Sequence, residues 1–322
     1  MDLSIIIVNW NSVAYLKACL ASVFKQTENM NCEIIVIDAA SFDGCEAMLG
    51  ECFPRVHFIQ SLHNVGFGRT NNQAFKRARG DSVLFLNPDT EIVGAAISSL
   101  YEGLQRLPNA GAVGCRLLNS DGSLQTSCIQ SFPSILNQIL DTEWLRQKWP
   151  AAWLWGTTAL YASDNEPQVV DAIAGACVMM KRAVFEHVGG FSDEYFMYAE
   201  DIDLCHKTQV LGLTNYYLPT ATVIHHGGAS SQKAASNFSV VLMRESICHY
   251  LSKTRGRLYG AAYRLAMLGV ACVRLTILRL SVAGCTHHAK NLPTSDSLRK
   301  WRAVLRWSLF RQSTVKQFEP MT

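Results

Sequence analysis

Acidic residues all but vanish from the last part of this sequence. Residues 231–322 hold three Asp/Glu against fifteen Lys/Arg, a balance of +12, while the whole 322-residue chain carries only +3, so residues 1–230 carry −9. An acidic body followed by a basic tail implies a ligand-bearing or catalytic body and a tail that meets an anionic surface. Other absences narrow the class further. None of the eleven cysteines belongs to a C-x-x-C pair or to a Cys/His group of zinc spacing. They sit in apolar contexts such as Ala176-Cys177-Val178 and Ala271-Cys272-Val273, the pattern of reduced, buried thiols in a cytosolic compartment. There is no G-x-G-x-x-G, which disfavours a dinucleotide fold, and no G-x-S-x-G, which disfavours a serine hydrolase. No signal-peptide pattern precedes the first strand-like segment. No strongly apolar run reaches the roughly 18–20 residues that span a bilayer.

What is present is a folded chain with 49% apolar residues. Short β-branched runs at Leu3–Val8, Glu33–Ile37, Val56–Ile59 and Val83–Leu86 read as strands. Helical patterns lie between them, over about 13–24, 45–51, 69–79 and 95–107. Asn11 or Ser12 is placed to cap the first helix. This alternation implies a mostly parallel sheet with helices on both faces, and ligands in such sheets bind beyond the carboxyl ends of the strands. Asn9, Asp38, Asn87 and Asp89 fall at those ends. Each is also an ordinary turn former; three strands ending this way at one edge is the stronger signal. Gly111–Leu118 reads as another strand and Asn119–Gly122 as a tight turn. Further strands are expected over 172–181, 214–218 and 221–224, and helices over 182–188 and 201–211.

The Trp-rich stretch 123–165 carries Trp144, Trp149, Trp153 and Trp155. Such a segment suits a local core, sugar stacking or a membrane interface. The tail reads as three helices, over 243–253, 258–283 and 298–311. Arg257, Arg264 and Arg279 fall within about 60° on a helical wheel. The pattern fits a basic amphipathic helix on an anionic membrane, or packing against the body or a second subunit. Its charges alternate with long apolar stretches, which argues against nucleic acid.

Residues 189–205, G-G-F-S-D-E-Y-F-M-Y-A-E-D-I-D-L-C, place three carboxylates behind an aromatic run. Helical spacing puts Glu200 and Asp203 on one face and Asp201 about 100° away. Carboxylates at a helix start are ordinary caps. Clustered behind aromatics and a Gly-Gly hinge, one of them is also a candidate general base.

Several motifs in order resemble the family 2 inverting glycosyltransferases of the GT-A fold, in the flavour of the rhamnosyltransferase-like group that builds bacterial surface polysaccharides such as O-antigen. They are S-I-I-I-V-N-W-N at 4–11, I-I-V-I-D-A-A-S-F-D-G at 34–44, N-V-G-F-G-R-T-N-N at 64–72 and L-F-L-N-P-D-T at 84–90. The stretch 189–205 and H-H-G-G-A-S at 225–230 complete the set. The resemblance implies a catalytic domain over 1–231, with a nucleotide-sugar half to about 118 and an acceptor half beyond, then a basic helical extension over 232–322. It implies a dTDP- or UDP-sugar donor bound by Val8, Asn9, Asp38, Asn64, Gly66, Arg69 and Asn87. Asp89 and His225, with His226 as the fallback, would hold Mg²⁺ or Mn²⁺. Asp201 matches the catalytic base, with Glu200 beside it, and Tyr198 and Asp203 would meet a glycan or lipid-linked acceptor. The implied place is cytoplasmic, peripheral on the cytosolic face of the inner membrane.

Two positions depart from the family pattern. Ala39 stands where Asn is usual, and Asn87 replaces the first acid of the D-x-D motif, leaving Asp89 as its sole carboxylate. A second reading follows from them, a sugar-nucleotide-binding or scaffold subunit with weak or no catalysis.

Overall fold

The computed structural model describes residues 1–162, 164–227, 236–284 and 295–310. The chain divides into two compact units. The first comprises Met1–Phe132, Trp144–Phe196 and Glu200–Ser230; the second comprises Pro133–Glu143, Met197–Ala199 and Ser231–Thr322. The expected domain boundary at 231–232 and the Gly228–Ser230 end of the histidine motif lie outside the described residues.

In chain order the elements are β1 (Leu3–Asn9), α1 (Val13–Thr27), β2 (Cys32–Asp38), α2 (Cys45–Cys52), β3 (His57–Gln60), α3 (Phe67–Phe75), β4 (Ser82–Leu86) and β5 (Thr90–Val93). Then come α4 (Ala96–Arg106), β6 (Ala110–Leu118), β7 (Ile129–Gln130), α5 (Ile135–Leu140), α6 (Glu143–Lys148), β8 (Gln168–Val170), β9 (Ala172–Ile173) and β10 (Cys177–Lys181). The last are α7 (Arg182–His187), α8 (Glu200–Val210), β11 (Thr214–His225), α9 (Ser236–Arg255), α10 (Arg257–Gly284) and α11 (Ser295–Ser308).

The main sheet of the first unit runs β3-β2-β1-β4-β10-β6-β11-β5, with β8 also on β11. Strands β1 to β4 are parallel to one another, and β11 is parallel to β6. β10 runs antiparallel to both its neighbours, and β5 antiparallel to β11. The sheet is therefore mixed, with four parallel and four antiparallel pairings, and its parallel part, β3-β2-β1-β4, lies where the alternation predicts it. β1 and β4 are buried along their whole length, which is why they read as unbroken apolar runs. Helix α1 turns Leu16, Cys19, Leu20, Val23 and Thr27 inward, the spacing of one helical stripe.

Local departures have local causes. Ser12 does not cap α1 through its side chain; its hydroxyl donates to Asn9 Oδ1. The carboxylate of Asp43, thirty residues away, accepts the first helical N–H, that of Val13, at 3.0 Å. The single strand expected over 172–181 is two, because residues 174–176 leave the ladder between β9 and β10. The two strands expected at 214–218 and 221–224 are one, β11, whose register on β6 slips between Leu218 and Thr222. Pro219 lies in the slip and has no N–H to donate. Cys272, taken as a buried thiol, is exposed, as is Cys52.

The second unit contains α9, α10 and α11. Tyr263, Met267, Ala271 and Leu275 of α10 form a buried i, i+4 stripe, and α11 buries Ala303, Val304 and Trp307. Arg264 does not project as an outward charge. Its guanidinium lies over the Trp307 ring, 4.5 Å from the centroid, and its Nε donates to Trp307 O at 3.1 Å. The expectation that no segment is long and apolar enough to cross a bilayer is corrected by Arg257–Leu280, whose 24 residues meet both requirements.

The Trp-rich stretch belongs partly to each unit. Trp155 is buried, and its indole N–H donates to Trp149 O at 3.0 Å. Trp144, Trp149 and Trp153 are exposed. Lys148 Nζ lies 5.0 Å from the ring centroids of both Trp149 and Trp144.

Candidate active site

The polar strand ends share one edge. In the parallel register Asn9 pairs with Asp38, and Ile7 with Leu86, so Asn87 to Asp89 follow β4 at the same end of the sheet as Asn9. Asn9 and Asp38 are fully buried. Asn9 Nδ2 donates to Asp38 Oδ1 at 2.8 Å and to Asp43 Oδ1 at 3.1 Å. Asp38 Oδ2 accepts from the Ser41 and Phe42 N–H groups and from Gln60 Nε2, and Ser41 Oγ donates to Oδ1. Burial works against its charge, but hydrogen bonds from Ser41, Gln60, Phe42 and Asn9 outweigh it and hold the carboxyl below its ordinary value. Asp38 thus shapes the 39–43 loop, where Ala40 and Phe42 take φ of 60° and 51°. Val8 is buried at the end of β1.

Asn64 and Gly66 form the next loop. Asn64 Oδ1 accepts the Gly66 N–H, and Gly66 has φ of 91°. A Cβ at Gly66 would meet Phe196 O at 2.1 Å, so only glycine fits where the loop passes the aromatic run. Arg69 does not join the strand-end group. Its Nε donates to Asp193 O at 2.7 Å. It lines a cavity of about 420 Å³ with Asn72, Lys76 and Asp193, and neither Asp38 nor Asp89 is part of that wall.

At the far side of β4, Asp89 is buried and its Oδ1 lies 3.4 Å from His225 Nε2. Asn87 Nδ2 lies 3.2 Å from the same nitrogen. His226 is engaged elsewhere: Nδ1 is 2.7 Å from Ser120 Oγ and Nε2 is 2.8 Å from Glu91 Oε1. With both its nitrogens occupied, His226 leaves His225 as the imidazole that faces Asp89. Among the described residues no group of three or more His, Cys, Asp or Glu is arranged to hold a metal ion. A cation at Asp89 and His225 would therefore need further oxygens from a ligand, and this oxygen–imidazole pair fits that role.

The acidic helix start stands against the same wall. Asp201 Oδ2 accepts the Gly175 N–H at 2.9 Å, and the next residue, Ala176, accepts the Asn87 N–H at 2.9 Å. Two backbone groups therefore tie the Asp201 carboxylate to the β4 end. Burial raises the Asp201 carboxyl above its ordinary value, although N–H groups of Gly175 and Ile202 pull it down. Glu200 is buried and, among the described residues, its Oε2 has no hydrogen-bond partner. Desolvation, then the neighbouring Asp201 charge, push it up to about 8. Asp203 is buried and braced: Ser192 Oγ and Tyr195 OH donate to it, and Lys207 Nζ lies 3.9 Å away. In the second unit Tyr198 and Ala199 hold φ of 69° and 64°, a conformation non-glycine residues rarely adopt. Within that unit Ser246 Oγ fixes the segment by donating to Met197 O at 2.8 Å.

Residues 4–189 match the model of glycosyl transferase family 2. The chain belongs to that family. It is a glycosyltransferase, and the GT-A fold expected for it is the fold observed. This family 2 enzyme is 30% identical over 246 residues to N-acetylglucosaminyl-diphospho-decaprenol L-rhamnosyltransferase of Mycobacterium tuberculosis, covering 71% of this chain and 77% of that one. It is 29% identical over 171 residues to the rhamnosyltransferase WbbL of Escherichia coli, covering 50% of this chain and 61% of that one. Mannosyltransferase PcManGT from Pyrobaculum calidifontis, solved with GDP-Man and Mn²⁺, superposes with a TM-score of 0.59 over 96% of this chain and 86% of that chain. At 14% identity this is a likeness of fold.

Sequence reasoning missed several residues that hold the candidate site. Asp43 and Gln60 complete the Asp38 network, Gly175 holds Asp201, and Gln125, Ser120 and Glu91 hold the two histidines. Asp43 had a signal, since it closes the quoted 34–44 motif. The others reach the site from distant segments and carry none.

Proposed function

We propose that the enzyme transfers rhamnose from dTDP-rhamnose, with inversion, to a lipid-linked glycan acceptor in surface-polysaccharide synthesis. The observation that carries this reading is the tie between the Asp201 carboxylate and the β4 end through Gly175 and Ala176. It sets a candidate base beside a candidate leaving-group site, as a single displacement needs. The relatives' names supply the sugar and the acceptor class: both are rhamnosyltransferases, and one carries N-acetylglucosaminyl-diphospho-decaprenol in its name.

In this mechanism Asn9, Asp38 and Asp43 hold the 39–43 loop against the nucleotide base, with Val8 flooring the pocket. Asn64 and Gly66 shape the next wall, and Asn87 lines the diphosphate. Asp89 and His225 would hold Mg²⁺ or Mn²⁺, which would supply charge neutralisation for the departing diphosphate. Asp201 takes the proton of the acceptor hydroxyl as the new C–O bond forms. Glu200, with its raised affinity for a proton, stays neutral beside it and leaves the negative charge to Asp201. Asp203 fixes the helix start from within.

The test is transfer from dTDP-rhamnose and from UDP-sugars to a polyprenyl-diphosphate N-acetylglucosamine, with Mn²⁺, Mg²⁺ or EDTA. The expected result is metal-dependent transfer with the product anomer inverted. A product with retained configuration, or equal rates in EDTA, would sink the mechanism. Binding of the sugar nucleotide with no transfer would instead favour the scaffold reading that Ala39 and Asn87 suggest.

The same reading puts the protein in the cytoplasm, peripheral on the inner membrane, where a lipid-linked acceptor presents its sugar. Helix α10 supports this. Leu258, Leu265, Val273, Ile277 and Leu280 are exposed on it. From Leu258 to Val273 its only charged residue is Arg264, which is folded onto Trp307. Arg299, Lys300, Arg302 and Arg306 are exposed on α11. An apolar face accompanied by cations is the chemistry of an interfacial helix on anionic lipid.

A further inference from the structure

His225 and His226 are consecutive at the end of a strand, so their rings leave on opposite sides. A neutral imidazole can present either nitrogen as the acceptor. For His225 to act toward Asp89 as a ligand, Nε2 must carry the lone pair and Nδ1 the proton. We propose that the 119–125 turn imposes this state, with Gln125 as the residue that fixes the His225 tautomer.

The polarity of the turn follows from one end. The Asp121 carboxylate is exposed, and hydrogen bonds from Ser123 hold it below its ordinary value. As a carboxylate it can only accept, so Ser123 Oγ donates to Asp121 Oδ1, at 2.6 Å. Ser123 Oγ is then the acceptor for Asn119 Nδ2, at 2.9 Å. That turns Asn119 Oδ1 toward Gln125 Nε2, at 3.0 Å. The remaining atom of the Gln125 amide, Oε1, faces His225 Nδ1 at 2.8 Å and can only accept. Nδ1 must therefore bear the hydrogen, and Nε2 presents its lone pair, 3.2 Å from Asn87 Nδ2 and 3.4 Å from Asp89 Oδ1. Each amide orientation is forced by the one before it.

The backbone holds the turn rigidly. Gly122 N–H donates to Asn119 O, Asn119 N–H to Ser123 O, and Gln125 N–H to Leu117 O, all at 2.8–2.9 Å. The same turn supplies Ser120 to His226. It therefore clamps both rings and directs only His225 to the β4 end. Gln125 is a positioning residue: it acts through His225.

The inference rests on the reading of Asp89 and His225 as cation ligands for its consequence, but its first test does not. Long-range ¹⁵N NMR of the metal-free full chain, labelled at histidine, reads the His225 tautomer directly. The expected result is Nδ1–H in the wild type and a shift toward Nε2–H, facing Asp89, in Gln125→Leu. Gln125→Glu keeps an acceptor at Nδ1 and should keep Nδ1–H. Ser120→Ala, which touches only His226, should leave His225 unchanged. The second readout is Mn²⁺ affinity by EPR in the presence of dTDP. Gln125→Leu should lose about 10–100-fold, the usual cost of removing a partner of a ligating histidine, and Gln125→Glu should recover most of it. An unchanged tautomer in folded Gln125→Leu overturns the proposal. Equal losses in the Leu and Glu variants overturn it too, because they would trace the effect to the shape of the turn. If the tautomer shifts as expected but the wild type binds no Mn²⁺, the clamp stands and the cation reading falls.

Discussion

The edge of the first unit and the helices of the second dispose of their polar groups in opposite ways. At the edge, Asn9 donates to two carboxylates, Asp38 takes donors on both oxygens, and both nitrogens of His226 are engaged. In the second unit, Arg264 turns inward over Trp307 and Phe310, while Leu258, Leu265 and Leu280 face outward. Groups locked by their neighbours need no rearrangement when charge develops, which suits a site that does chemistry. Apolar side chains left outward gain only by leaving water, which suits a surface that docks. On the proposed reading, the contrast separates a region that acts from one that attaches. Substitutions in either should leave the other's readout intact.

The largest expected effect is at Asp201. Asp201→Asn keeps the size and much of the hydrogen bonding but removes the proposed base. Turnover should fall by on the order of 10²–10⁴, the share of general base catalysis, with donor affinity and vesicle binding unchanged. Measured against it, Glu200→Gln should cost less. A near-wild-type rate for Asp201→Asn together with an inactive Glu200→Gln would move the base to Glu200. Asp89→Ala is the companion variant: it should abolish metal-dependent donor binding while the fold survives, as read by calorimetry with Mn²⁺ present and absent.

How far the sequence could be read follows the same contrast. The β1, β2 and β4 strands were legible because each is a buried apolar run that ends in a polar residue. The shared edge of Asn9, Asp38 and Asp89 followed from parallel topology. The Asp201 cluster was visible as chemistry, and the fold class came from the strand–helix alternation of the N-terminal half. What escaped was long-range. Nothing local marks Gln125 as the partner of a histidine one hundred residues later, or Gly175 as the holder of Asp201. In the tail, helical spacing located the three helices but mistook their faces. The wheel groups Arg264 with Arg257 and Arg279 on one basic face, because it cannot show that Trp307 of α11 covers Arg264.

A middle-sized effect should come from the second unit. Leu265→Glu combined with Ile277→Glu puts charge on the exposed face of α10 without touching its buried stripe. Partition onto vesicles of phosphatidylcholine with a quarter phosphatidylglycerol should drop by about tenfold or more, given about 1.5–3 kcal/mol for burying each leucine-sized side chain. Transfer to a water-soluble acceptor should not change. If the double variant instead turns a dimer into a monomer in sedimentation and binds vesicles as before, the face is a subunit contact and the membrane reading is lost.

The smallest effect is on stability, and it tests how the acidic helix start tolerates its own charge. The Glu200 carboxyl titrates at about 8 in the folded protein against an ordinary value of 4.5, because burial and then Asp201 penalise its ionised form. A group whose folded pKa is raised holds its proton more tightly in the native state. Its contribution is fully present below about pH 4.5 and fades as pH rises through 8. Glu200→Gln cannot ionise and escapes that loss. The two proteins should melt together near pH 5, and the variant should melt higher at pH 9, each kcal/mol being worth roughly 2–4 °C in a fold of this size. Because Glu200 is already neutral where Asp201 loses its proton, the variant should leave the acid limb of the pH–rate profile in place. A melting difference that stays constant from pH 5 to 9 would mean that Glu200 is ionised at little cost in the folded protein. The neutral neighbour assigned to Asp201 would then not exist.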